Sequence, residues 1–349
     1  MSAENLARPE IRELRVYETN IQMNGAIRLH ANESSWSWDT NAGPINRYPE
    51  LRPTELQARL ADRFDVANEN LLVTRGSSEA IDLLVRVFCR ASKDNIVISP
   101  PTFVMYKVFA EIQGAGIINC PLSADDDFAV DVDVLANNCT EESKLIFLCS
   151  PNNPTGNVVP VPDIVRLLEA RKDQSIVVVD EAYIEFSGTE SAARLISDYD
   201  NLVVLRTLSK ALALAGARCG AVIGNPEIIR MLNAVLPPYA LATPVVDCVL
   251  NALSLDGNAA SRKKIGDVIR ERERLAQALS AKRCVQQLWP SQANFLLVQF
   301  DDLEEVQKRL QTERILIRDV SGNPGFDNFA RITVGSADEN ERLLAALGE

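Results

Sequence analysis

From about residue 70 onward, the chain carries a succession of aliphatic runs too short for core helices, each closing on glycine, proline or a polar cluster. They are "NLLVTRG", "NIVISPP", "GIINCPL", "KLIFLCSPNNPTG", "SIVVVDEAY" and "NLVVLRTLSK". A run that is apolar at every position cannot be a half-solvated strand, where hydrophobic and polar residues alternate. It fits a strand covered on both faces. Helical spacing appears between several of the runs: Ile81, Leu84, Val85 and Phe88 recur at i, i+3, i+4 and i+7, and "FVMYKVFAEIQG" (103–114) reads as a second helix. Strands that alternate with helices imply right-handed βαβ units, and so an α/β fold with a mostly parallel central sheet flanked by helices.

Beyond "LPPYALATP" (236–244) the pattern changes. Long helices are expected to about residue 282, then a strand in "ANFLLVQF", a helix in "LEEVQKRLQ", strands in "RILIRDV" and "FARITVG", and a last helix in "ENERLLAALGE". This reads as a smaller C-terminal α/β domain. The expected division is an N-terminal arm that covers the substrate (1–45), a large domain (46–240) and a small domain (241–349). Prolines 237, 238 and 244 suit a linker or kink, and a long helix bridging both domains fits equally well.

The 349 residues carry a net charge of −12 with no Lys/Arg-rich run, which argues against nucleic acid or an anionic membrane as partner. The charged start, "MSAENLARPEIRELR", and the lack of any stretch approaching 18 apolar residues predict a cytoplasmic protein. The seven cysteines fall mainly in apolar stretches and include no C-x-x-C pair; they read as reduced core thiols, with no metal site expected. His30 is the only histidine, most simply a structural imidazole, so proton transfer must use another group. The G-x-S-x-G, Walker-type and G-x-G-x-x-G signatures are absent.

In sheets of this kind ligands bind beyond the carboxyl ends of the strands. After the first strand, "RGSSEA" opens a helix at Ser77 and Ser78, either a plain N-cap or free N–H groups for a phosphate. "PNNPTG" carries Asn152 and Asn153 on a stiff turn that turn chemistry alone also explains. Asp180 ends an all-apolar strand, where a carboxylate is costly unless paired, so a buried cationic partner is expected. "VVLRTLSK" ends in Thr207, Ser209 and Lys210, with Arg218 further on; hydroxyls and a guanidinium suit a phosphate. Lys210 by itself reads as a solvated loop lysine. One ligand accounts for the whole set: pyridoxal 5′-phosphate, whose ring nitrogen needs a carboxylate, whose aldehyde needs a lysine and whose phosphate needs the rest.

"LHANESS", "RYPE", "RGSSEAIDLLVRVF", "PPTFVMY", "SPNNPTG", "VVVDEAYIEF", "RTLSKALALAGARCG" and "ARITVG", in this order, resemble the fold-type I pyridoxal-phosphate aminotransferases, and within them the histidinol-phosphate aminotransferase subgroup. The resemblance spans nearly the full chain. It implies that Lys210 is the covalent tether and the base that moves a proton at the substrate α-carbon, and that Asp180 pairs with the ring nitrogen. Asn153 and Tyr183 would bond the ring's phenolic oxygen. Ser77, Ser78, Thr207, Ser209 and Arg218 would hold the phosphate, and Tyr48 would reach it from the other subunit of a homodimer. Phe103 stands at the ring-stacking position where the family often has tyrosine. Ser78 stands where an acidic residue is frequent, which leaves the backbone amides as the phosphate ligands there. Arg331 matches the arginine that receives the substrate's distal anion; Arg318 and Tyr17 resemble further phosphate-side contacts, and Asn32 and Glu33 lie in the segment that covers the substrate mouth. The implied reaction exchanges an amino group between glutamate and imidazole acetol phosphate in histidine biosynthesis. The alternatives are an aromatic or broad-specificity aminotransferase and a decarboxylase of a phosphorylated amino acid.

Overall fold

The computed structural model describes residues 3–17, 26–38, 43–323 and 325–348. Seven strands form the main sheet: β1 (Leu71–Thr74), β2 (Asn95–Ile98), β3 (Gly116–Asn119), β4 (Ser143–Cys149), β5 (Ile176–Asp180), β6 (Leu202–Thr207) and β7 (Gly220–Gly224). Their order is β1-β7-β6-β5-β4-β2-β3, parallel from β6 to β3. The continuous apolar runs follow from burial on both faces. Along β5 and β6, Val177, Val179, Leu202 and Val204 enter one core while Ile176, Val178, Val203 and Leu205 enter the other. The two expected helices form as Ser77–Phe88 and Met105–Gln113.

β7 departs from the expected parallel pattern. It runs antiparallel to both β1 and β6, so the return from β6 needs no crossover helix and passes through a short turn at Ala215–Ala217. Gly220 permits the tight join: a Cβ there would meet the Arg206 carbonyl oxygen at 2.6 Å and the Gly76 Cα at 2.9 Å.

The C-terminal region holds β8 (Val285–Leu288), β9 (Phe295–Phe300), β10 (Arg318–Asp319) and β11 (Phe329–Thr333) in the order β10-β11-β9-β8, antiparallel throughout. The strand expected in "RILIRDV" narrows to two residues. The helix Leu255–Ser280 bridges the cores: Ile265, Val268 and Ile269 pack against the large one, and Leu275 and Leu279 belong to the small one. All seven cysteines are free thiols, and His30 is exposed rather than packed. Among the described residues no helix is long and apolar enough to cross a membrane.

Candidate active site

β5 and β6 are adjacent and parallel, so their last residues emerge at one edge of the sheet. There a single cleft is lined by Asp180 from the end of β5, Tyr183 just beyond it, Thr207, Ser209 and Lys210 from the end of β6, and Asn153 from the turn after β4. Ser77, Ser78, Phe103 and Arg218 complete the group predicted for one ligand.

Asp180 is 2% exposed. Its Oδ2 accepts a hydrogen bond from the Tyr106 hydroxyl at 2.8 Å and its Oδ1 accepts one from the Ala182 N–H at 3.2 Å. Burial pushes its pKa up to about 6, opposed by Tyr106, the Ala182 N–H and the positive charge of Lys210. The expected buried cation is not a protein group in direct contact: Asp180 forms no ion pair among the described residues.

Lys210 lines the cleft and is exposed, with Nζ 5.7 Å from the centre of the Tyr183 ring. Burial of the amine, and then repulsion from Arg331 and Arg218, lowers its pKa, against the attraction of Asp180. The mutual attraction of Lys210 and Asp180 favours both charged forms, but burial outweighs it for each. Arg331 on β11 donates through Nη1 to Asn153 Oδ1 at 2.5 Å, and Asn153 Nδ2 donates to the Tyr183 hydroxyl at 3.4 Å. Arg331 also sits 5.4 Å over the Phe295 ring, so the small sheet delivers its guanidinium to the rim of the large domain's cleft.

A cluster of polar groups lies at the start of the helix Ser77–Phe88. Gly76 is its N-cap, with φ +79° and ψ 172°, a conformation that side chains disfavour. A Cβ on Gly76 would stand 3.2 Å from Arg218 Nη2, so glycine lets the guanidinium lie against the helix start. Arg218 Nη1 donates to Ser209 Oγ at 3.3 Å, and Thr207 Oγ1 donates to the same oxygen at 3.1 Å. First-turn N–H groups, two hydroxyls and a guanidinium thus converge.

The N-terminal residues gather elsewhere in the single chain. Tyr48 and Asn32 line a second cleft with Thr243 and Pro244, and Tyr48 stacks on Tyr239 at 4.6 Å. Glu33 fastens this segment: its carboxylate accepts from Arg28 at 2.6 Å, Arg47 at 3.1 Å and the Tyr48 N–H at 2.8 Å. Burial alone would raise Glu33, but these three partners outweigh it and hold it below the ordinary carboxylate range. Tyr17 is exposed, and Arg318 is exposed on β10 opposite Arg331 in the register. Parts of the arm, residues 18–25 and 39–42, lie outside the described residues. Sequence reasoning gave no role to Tyr106 or Tyr239 and read Cys149 only as a core thiol; Tyr106 lies three residues after Phe103 in the same quoted segment.

The family Aminotransferase class I and II matches residues 26–347. A histidinol-phosphate aminotransferase of Serratia proteamaculans is 42% identical over 99% of this chain and 96% of its own length. That of Aeromonas hydrophila is 40% identical over 99% and 98%. The crystal structure of histidinol-phosphate aminotransferase from Sinorhizobium meliloti in complex with pyridoxal-5′-phosphate superposes with a TM-score of 0.79, covering 91% of this chain and 88% of that one at 22% identity, a likeness of fold.

Proposed function

The chain belongs to the class I and II aminotransferases, and from that premise we propose that it transfers the amino group of L-histidinol phosphate to 2-oxoglutarate, giving imidazole acetol phosphate and L-glutamate, in L-histidine biosynthesis. The observation that carries this reading is a buried carboxylate and a lysine at the ends of adjacent strands, facing a cleft with an anion cradle at its side, in a chain similar over its whole length to curated enzymes of that name.

The residues fit pyridoxal 5′-phosphate. Asp180, buried and without an ion-pair partner among the described residues, would be completed by a protonated ring nitrogen, and the Arg218 guanidinium, brought against the helix start by the lack of a side chain at Gly76, suits the phosphate. When bound, the cofactor supplies an aldehyde that takes up the amino group and a ring that accepts the electron pair left at the substrate's α-carbon.

Every other step falls to the chain. Lys210 offers the tether, and because burial and two arginines favour its neutral amine, it can take a proton from the α-carbon and return it. Asp180 holds the ring-nitrogen proton in place. Asn153 and Tyr183 orient the phenolic oxygen, Phe103 covers a ring face, and Ser77, Ser78, Thr207, Ser209 and Arg218 hold the phosphate. Arg331 receives the α-carboxylate of glutamate in one half-reaction and the phosphate of histidinol phosphate in the other, with Arg318 and Tyr17 on the phosphate side and Asn32 over the mouth.

We further read the chain as an arm (1–45), a large domain (46–240) and a small domain (241–349), acting in the cytoplasm as a homodimer in which Tyr48 reaches the partner's cleft. This is supported by the place of Tyr48, half exposed and apart from Lys210, and by the exposed Ile27, Leu29, Trp36 and Trp38 on the same segment. The test is direct. The purified protein should be a yellow dimer that borohydride bleaches, leaving a pyridoxyl label on Lys210 alone, and it should transaminate histidinol phosphate with 2-oxoglutarate. Equal efficiency with phenylalanine or tyrosine would replace this reading with a broad aromatic aminotransferase, and carbon dioxide release with a decarboxylase.

A further inference from the structure

We propose that Tyr106 is a positioning residue for the reaction, fixing the Asp180 carboxylate through its hydroxyl so that the ring-nitrogen proton stays on the ring. The inference rests on the reading of Asp180 given above. Tyr106 is absent from the cleft lining and is fully buried behind it, so it acts on the chemistry only through what it touches. Its hydroxyl donates to Asp180 Oδ2 at 2.8 Å.

The ring is held on two sides: it stacks on Phe147 of β4 at 4.6 Å and 13°, and meets Phe103 edge-on at 5.6 Å and 85°. Phe103 lines the cleft, so the same ring backs both the carboxylate and the aromatic face of the site. Tyr106 and Ala110 form the buried face of the helix Met105–Gln113, which fixes the height of the hydroxyl against the end of β5.

Packing alone does not call for a tyrosine here. The site lies in an apolar core with Ile98, Phe147 and Cys149, where phenylalanine would fill the same volume without burying a hydroxyl. A fully buried hydroxyl costs desolvation unless it is bonded, and its partner is the carboxylate itself. Burial also raises the Tyr106 pKa well above the ordinary phenol value, so the group remains a donor at any working pH. Together with the Ala182 N–H on the other oxygen, it favours the ionised carboxylate and sets its plane. Without the phenol the carboxylate becomes a stronger base and draws the shared proton off the ring nitrogen, where the proton is needed to accept electrons.

The test compares wild type, Tyr106→Phe, Asp180→Asn and the double variant, each loaded with pyridoxal phosphate labelled with 15N in the ring. Tyr106→Phe should move the ring-nitrogen resonance toward the unprotonated position and lower kcat by on the order of 10-fold, with KM for histidinol phosphate little changed. In the Asp180→Asn background the same change should do nothing further. A wild-type resonance in Tyr106→Phe, or equal losses of kcat in both backgrounds, would overturn the proposal. Should Tyr106→Phe fail to fold, 3-fluorotyrosine at position 106, a stronger donor of nearly the same size, should move the resonance the opposite way, and no movement would overturn it. Failure of the wild type to transaminate histidinol phosphate at all would count instead against the function proposed above.

Discussion

Asp180 should cost the cofactor-free fold stability, and removing its charge should return it. Its folded pKa of about 6 lies above the ordinary 3.8, so the folded state holds the proton more tightly than the unfolded chain does. The fold is therefore unpenalised below about pH 4 and loses stability as pH rises through 6, the reverse of a salt-bridged carboxylate. The gap between about 6 and 3.8 corresponds to about 3 kcal/mol by pH 8, about half of it already present at pH 5. Asparagine keeps the shape: its oxygen can accept from the Ala182 N–H while its amide faces the Tyr106 oxygen. Guanidinium unfolding of the two apo proteins should show Asp180→Asn more stable by up to about 3 kcal/mol at pH 8, with the margin shrinking toward acid. Cofactor should reverse the order, since a ligand that pairs with the carboxylate stabilises only the wild type in this way. An advantage that is flat from pH 5 to 8, or an apo variant less stable than wild type at pH 8, would refute the reasoning.

Lys210→Ala should fold and retain cofactor without covalent attachment, with turnover nearly abolished because on the proposed reading one amine supplies both tether and proton transfer; a wild-type absorption spectrum would rule the residue out. Arg331→Lys keeps the charge but loses the planar fork that holds an anion and Asn153 together, so both half-reactions should weaken by about 1–3 kcal/mol, while Arg318→Ala should weaken only the histidinol phosphate half; single-turnover spectra separate the two. Gly76→Ala forces a side chain into φ +79° at a cost of about 1–3 kcal/mol and crowds Arg218, so apo-enzyme titration should show cofactor affinity falling more than kcat.

The parts of the fold legible in the sequence are those where burial is complete. β4, β5 and β6 could be read because nearly every residue is inside, and Asp180 and Lys210 stood out because they interrupt or end such runs. β8 escaped: "VQQL" is partly exposed and polar at its centre. β7 escaped for a different reason, since "GAVIG" is short, bounded by glycines and returns antiparallel, where alternation of strands and helices predicts another crossover. Composition cannot report direction.

The site divides the same way. Strand-end residues reach one cleft by topology alone, whereas the bond from Tyr106 joins residues 74 apart and depends on how one helix face meets one strand end. The apposition of Arg331 and Asn153 depends in turn on the seating of the small sheet against the large one.

An acidic chain that binds anions has to build its positive potential locally. Net charge is −12, yet Lys210 and Arg218 line the cleft and Arg331 reaches its rim, against the one carboxylate of Asp180. The same concentration of cations keeps Lys210 reactive, since Arg331 and Arg218 add to burial in disfavouring its ammonium. Anion capture and amine activation are therefore coupled through charge. A phosphate against Arg218 or a carboxylate against Arg331 would neutralise part of that repulsion and raise the lysine's pKa, so the arginines favour the free amine before the anions bind and the anions would strengthen it as a base afterwards. Asp180 lies on the far side of this balance. Buried with two hydrogen bonds to it among the described residues, it favours a cation, and the ring nitrogen is the group of the proposed cofactor that can become one. The cleft thus sorts charge, with the guanidiniums of Arg331 and Arg218 at its rim and beside the helix start and the buried carboxylate of Asp180 within it, an order that matches the phosphate and ring nitrogen of the proposed cofactor.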